Sequence, residues 1–203
     1  CNGKLRRNPS RFRYEGYMVQ GTSRAGESRD NSPSPLRDAT MPQPNPRDEH
    51  FLRHAIALSH QVRRQGKHPF AALVVDAAGQ IVAEAGNDSL PPEGDPTRHA
   101  ELVAAALAAR HLPPEVLAGA TLYSSAEPCA MCAGAIYWCG IGRVVYALSE
   151  HALLGLTGDH PENPTFSLPC REVFSRGQRH IEVVGPALEA EAAAAHAGFW
   201  TPR

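Results

Sequence analysis

Residues 121–148 read TLYSSAEPCAMCAGAIYWCGIGRVVYAL. The run at 121–125 is short and β-prone, and so is the run at 143–148. Pro128 suits the opening of the stretch between them, because the first position of a helix has no intrahelical use for the N–H that proline lacks. Strand, helix and strand follow one another here, with the helix expected over 129–139. Working upstream, residues 97–110 are rich in Ala and Leu and read as a helix ended by Pro113 and Pro114. Residues 70–75 and 81–85 read as a strand pair joined by a turn at 77–80, and 87–96 as loop. Earlier still, Phe51, Leu52, Ala55, Leu58 and Val62 recur at three- and four-residue spacing up to Gly66, an amphipathic helix with Asp48 near its start. Downstream of Glu150 comes a Gly/Pro-broken segment, then a short helix at 170–176, a strand at 181–184 and an Ala/Glu helix at 188–197. This alternation predicts an α/β domain, a mixed sheet covered by helices on both faces.

The same stretch carries the chemistry. Cys129 and Cys132 lie three apart at a helix start, on one face, where the partial positive charge of the N-terminus favours thiolates. Upstream, His99 offers a third ligand. Three protein ligands on zinc leave the fourth tetrahedral position open for water, which is the arrangement of a catalytic rather than a structural site. Glu101, two residues from His99, diverges from it by roughly 200° on a helix. It is expected to act on that water, as general base and then as general acid toward a ring nitrogen and departing ammonia. A structural zinc site would need a fourth ligand. Cys139, about two turns or ~10 Å beyond Cys132, is too far to serve; Cys170 and the other histidines stay open, as does a redox pair at Cys129 and Cys132.

Residues 1–46 carry eight Lys/Arg against four Asp/Glu, and residues 47–203 twelve against seventeen. A body of that sign gives no electrostatic footprint for a long polyphosphate. The first 46 residues have no period and too little apolar surface to offset the entropy of ordering, so they are expected to be disordered. They read as a basic arm for RNA, as a linker, or as sequence ahead of a start at Met41, with 47–203 as the catalytic domain. No run approaches the roughly 18–20 apolar residues of a membrane span, and no secretory pattern stands near residue 1. The expectation is a cytoplasmic protein without a membrane partner. Of five cysteines, the Cys-x-x-Cys pair points to metal or redox chemistry rather than a disulfide framework.

His99-Ala100-Glu101 followed by Pro128-Cys129-Ala130-Met131-Cys132 matches the His-x-Glu and Pro-Cys-x-x-Cys signature of zinc deaminases. With Pro69-Phe70-Ala71-Ala72, Asp95-Pro96-Thr97-Arg98 and residues 122–137, the chain resembles the cytidine deaminase-like superfamily over about residues 49–184. Its branch holds guanine deaminase, fungal-type cytosine deaminase and the tRNA adenosine deaminase. The resemblance implies a three-layer fold with a five-stranded mixed sheet, a homodimer, zinc as cofactor, and hydrolysis of a cyclic amidine in a free nucleobase or nucleoside. It implies that Asn87 hydrogen-bonds the base or ribose, that backbone of Ala72 and Cys129 lines the pocket, that Phe70 packs on the base and that Trp200, with Phe199, closes over it. Structural readings stand beside these: a turn cap for Asn87, core filling for Phe70, a core groove for Trp200. The strings at 95–97 and 141–145 resemble the tRNA enzyme, whereas Phe70 and 135–138 resemble guanine deaminase. The C-terminal Leu188-Glu189-Ala190-Glu191 lacks the basic residues that phosphates require. A guanine-type base therefore ranks first, cytosine next and tRNA third, with a non-catalytic RNA-binding module as the alternative of another class.

Overall fold

The structure, a computed structural model, describes residues 42–92 and 94–200. The extension up to residue 41 lies outside them.

Helix α1 (Pro46–Arg64) begins in a capping box: the Asn45 side chain accepts from the Asp48 N–H at 3.0 Å, and the Asp48 carboxylate accepts from the Asn45 N–H at 3.0 Å. Asp48 then reaches inward. It accepts two N–H bonds from the Arg143 guanidinium, at 2.6 and 2.9 Å, and the Tyr123 hydroxyl at 3.0 Å. Burial alone would raise its pKa, but these partners more than offset that and hold the carboxyl below its usual range. One side chain thus ties the start of α1 to the middle of the sheet.

The sheet runs β2-β1-β3-β4-β5, with β1 (Ala71–Val75), β2 (Ile81–Gly86), β3 (Thr121–Ala126), β4 (Arg143–Leu148) and β5 (Glu182–Val184). β1 is antiparallel to β2 and β3, while β3, β4 and β5 are parallel. This is the expected five-stranded mixed sheet. Alternate residues serve opposite faces. Ala72, Val74, Leu122 and Val144 join the core under α2 (Ala100–His111), α4 (Ala130–Cys139) and α6 (Cys170–Ser175). Leu73, Val75, Tyr123 and Val145 join the core under α1, α5 (Glu150–Thr157) and α7 (Glu189–Ala193). Burial on both sides explains why β1 is the unbroken apolar run AALVV.

Helix starts differ from the sequence reading in a way that matters for chemistry. Pro128 precedes α4 instead of opening it; Cys129 is the N-cap, with extended backbone (ψ 169°). Likewise α2 starts at Ala100, with His99 as N-cap (ψ 148°). Gly140, at φ 82°, ends α4 in the left-handed conformation that glycine adopts without strain. A short α3 (Pro114–Ala118) uses Pro114 as an opener. The segment after Glu150 is not wholly irregular: Ser149 caps α5, accepting from the Ala152 N–H at 3.2 Å. The C-terminal helix is shorter than expected. Beyond Ala193 the N–H groups of Ala195 and His196 turn to the carbonyls three residues back, Ala192 and Ala193, and Arg63 of α1 donates to the carbonyls of Ala195 and Ala197 at 2.9 and 2.7 Å.

Candidate active site

Two helix starts meet at the C-terminal end of β3. The loop after β2 is pinned by Asp88, which accepts from Lys67 Nζ at 2.6 Å and from Arg98 Nε at 2.9 Å. That brings His99 to the cap of α2, facing the cap of α4. Cys129, in the extended conformation, turns its Sγ to 3.6 Å from His99 Nδ1. Cys132, at the third position of α4, completes a set whose ligand atoms all lie within 4.8 Å of one another. Zn–S bonds of about 2.3 Å and Zn–N bonds of about 2.0–2.1 Å at tetrahedral angles separate sulfur and nitrogen by about 3.6 Å. The residues present fit a zinc ion, and the His99–Cys129 separation is that of one edge of its coordination shell.

The thiols do not behave alike. Cys129 is drawn down to about 4 by the Cys132 thiol and the His99 ring beside it, against the opposing effect of burial. Cys132, fully buried, is raised well above the usual thiol range by its hydrogen bond to Cys129 and by desolvation. Without a cation the two sulfurs share one proton, and a bound cation displaces it.

Glu101 lies in the first turn of α2, buried, accepting from Ser124 Oγ at 3.3 Å and from the Cys132 thiol at 3.6 Å. It stands beside the ligand set, not in it. Desolvation, reinforced by the negative Cys129, pushes its carboxyl up to about 7. A carboxyl poised near neutrality can both take and return a proton. Glu127, next to Pro128, is also buried, but its two oxygens are occupied: one accepts the Cys170 N–H, the other the Glu150 N–H, each at 3.1 Å. It holds the starts of α6 and α5.

Above these groups opens a cavity of 380 Å³. Of the residues singled out from sequence, Phe70, Asn87, His99, Glu101 and Cys129 line it. Ala72 does not; it is fully buried in the core under α2. Trp200 does not line it either. Its ring packs behind Phe70, at 6.0 Å between centroids, and against His68 at 5.1 Å, while its Nε1 donates to His196 Nδ1 at 3.1 Å. Sequence reading missed the outer wall: Glu150 and Leu153 of α5, and residues 163–166. Only the Ser149 cap signalled that a helix delivers the first two. In that wall Thr165 Oγ1 is buried and has no hydrogen-bond partner.

Comparison with known proteins fits this geometry. Residues 45–148 match the family model described as the cytidine and deoxycytidylate deaminase zinc-binding region. A probable cytosine deaminase of Schizosaccharomyces pombe is 42% identical over 154 residues, covering 76% of this chain and 93% of the relative. A tRNA-specific adenosine deaminase of Haemophilus influenzae is 38% identical over 104 residues, 51% of this chain and only 60% of the relative. The solved guanine deaminase of Nitrosomonas europaea shares the fold, with a TM-score of 0.60 at 24% identity over 78% of this chain and 86% of that one. The matched region takes in both helix starts and the whole ligand set, and the chain belongs to the cytidine and deoxycytidylate deaminase zinc-binding family, whose members are zinc-dependent hydrolytic deaminases.

Proposed function

We propose that this protein hydrolytically deaminates a free nucleobase, with His99, Cys129 and Cys132 as zinc ligands and Glu101 as the proton-transfer group. The cavity carries this reading. At 380 Å³ it sits at the small end of the about 300–1,000 Å³ typical of ligand pockets, and Phe70, Leu153 and Phe166 give it apolar walls. Zinc, held by these three residues, would supply an acidified water and a Lewis-acidic centre. Glu101 takes one proton from that water and gives it to the ring nitrogen as the hydroxyl adds to the amino-bearing carbon; it then carries the proton of the added hydroxyl to the amino group, which leaves as ammonia as the carbonyl forms. Phe70 packs on the base, Asn87 holds its edge, and Glu150 and the Thr165 hydroxyl offer further polar positions.

The motif strings at Phe70 and 135–138 favour guanine, and the match along 93% of the fission-yeast relative favours cytosine. Both bases head the list of substrates to test. Adenosine in a tRNA anticodon comes next on the strength of the bacterial relative, although Glu127 and Glu150 in the wall weigh against a polyphosphate. A second copy of the chain is the proposed partner on α4, where Trp138 is 79% exposed and Met131 38%. No described helix is long and apolar enough to cross a membrane, and thiols at Cys139 and Cys170 outside any disulfide suit a cytoplasmic setting. The test is ammonia release by the zinc-loaded protein from cytosine, guanine, adenine, their nucleosides and an anticodon stem-loop. Release from a free base is expected; release from the stem-loop alone would overturn the free-base reading, and release from none would overturn the enzyme reading.

A further inference from the structure

A chain of polar groups runs behind Asn87 that the proton chemistry does not use. Asn87 is 2% exposed, and its N–H donates to the Phe70 carbonyl at 2.9 Å. Its side-chain Oδ1 accepts twice from Ser89, from the backbone N–H at 3.0 Å and from the hydroxyl at 2.8 Å. A backbone N–H can only donate, so the amide oxygen must face Ser89, and the NH2 group is the end left for the cavity. The Ser89 hydroxyl is also paired with His68 Nδ1 at 3.4 Å. The opposite ring nitrogen of His68, Nε2, lies 3.2 Å from Glu162 Oε2. His68 is 5% exposed and is gripped by the carboxy-terminal rings, with Phe199 edge-on at 6.0 Å and Trp200 tilted at 5.1 Å.

The geometry points to His68 and Ser89 as positioning residues that lock the Asn87 amide with its NH2 toward the substrate. The pocket then reads a hydrogen-bond acceptor on the base, a carbonyl oxygen or an unprotonated ring nitrogen. Flipping the amide would set its NH2 against the Ser89 backbone N–H, a donor that cannot reverse, and lose that bond. Phe199 and Trp200 act at one remove, by holding the His68 ring. The inference rests on the proposed role of Asn87 as a substrate contact.

The experiment is a double-mutant cycle on the zinc-loaded protein with cytosine and guanine as substrates. Ser89→Ala should raise KM about fivefold, the worth of one neutral hydrogen bond, at unchanged kcat. Ser89→Thr should restore the wild-type KM. His68→Phe, which keeps the ring and loses the N–H, should raise KM about threefold. In an Asn87→Ala background, Ser89→Ala should have no further effect, because the two groups act as a unit. Thermal midpoint and zinc content, measured on every variant, should match the wild type. A KM unchanged by both Ser89→Ala and His68→Phe overturns the inference, as does a full fivefold effect that persists in the Asn87→Ala background. Absence of turnover by the wild type overturns the deaminase reading and this inference with it.

Discussion

Replacing Glu101 by Gln tests the site most directly. The exchange conserves volume and leaves an oxygen for Ser124 Oγ, 3.3 Å away, while Glu101 is not one of the grouped ligand residues. Zinc content, read by plasma emission, should therefore stay at the wild-type value per chain. Turnover should not. A positioned acid–base group contributes about 10²–10⁴-fold, so ammonia release should fall by that factor, about 3–5 kcal/mol in barrier. The same carboxyl leaves a second mark on the chelated protein. Burial lifts its pKa from 4.5 to about 7, so the folded chain keeps a proton that the unfolded chain has lost. Its contribution is complete below about pH 4.5 and disappears as pH rises through about 7, a loss of about 3 kcal/mol. Urea titrations of the chelated wild type at pH 5 and 7.5 should register that slope, and Glu101→Gln should lessen it, leaving the part due to Glu150, whose carboxyl is also pushed up to about 7 by burial. A variant that retains more than a tenth of wild-type turnover with full zinc would refute the assignment.

Chelation should abolish activity and added zinc restore it, whereas Cys129→Ser should lower zinc per chain and leave activity unrestored at stoichiometric zinc. Asp48→Ala leaves the Tyr123 hydroxyl without its acceptor and leaves Arg143 only its exposed pairing with Glu182. The cost should be about 2–3 kcal/mol, seen as a thermal midpoint lower by about 5–10 °C with zinc affinity little changed. Trp138→Glu should convert a dimer to a monomer in light scattering at micromolar concentration. An unchanged molar mass would remove α4 as the contact between copies.

Much of this site was written in local sequence. The His-x-Glu and Cys-x-x-Cys pairs sit at helix starts, where spacing alone puts ligands on one face, and β3, α4 and β4 emerged from propensity and punctuation. What escaped was set by distant contacts. The Ala/Glu run after Leu188 has strong helix propensity, yet only Glu189–Ala193 is helical; beyond it the chain tightens into three-residue turns and docks through the Ala195 and Ala197 carbonyls on Arg63, more than 130 residues away in the chain. Leu188 itself adopts φ 58°, a left-handed turn that no side-chain pattern announces. For Trp200 the resemblance implied closure over the base and the residues equally allowed a core groove; its polar edge is engaged by His196 and its ring backs Phe70. The outer wall at 163–166 has no period and no motif, and only the folded chain brings it over the ligand set.

Glu127 deserves a last consideration in engineering terms. Its two oxygens fasten residue 150 and residue 170 beside the metal-binding loop, and the chain between those fastenings supplies Leu153 and the wall at 163–166. The stretch is in effect a cartridge, clipped at both ends by one carboxylate to a frame that holds the reactive groups. Its interior also touches that frame, Glu162 at His68 and His160 at Trp200, so a graft should keep those two residues. Grafting residues 151–169 from a relative of different substrate preference should exchange selectivity while leaving metal uptake and proton transfer as they are. The same graft made without Glu127 should lose both.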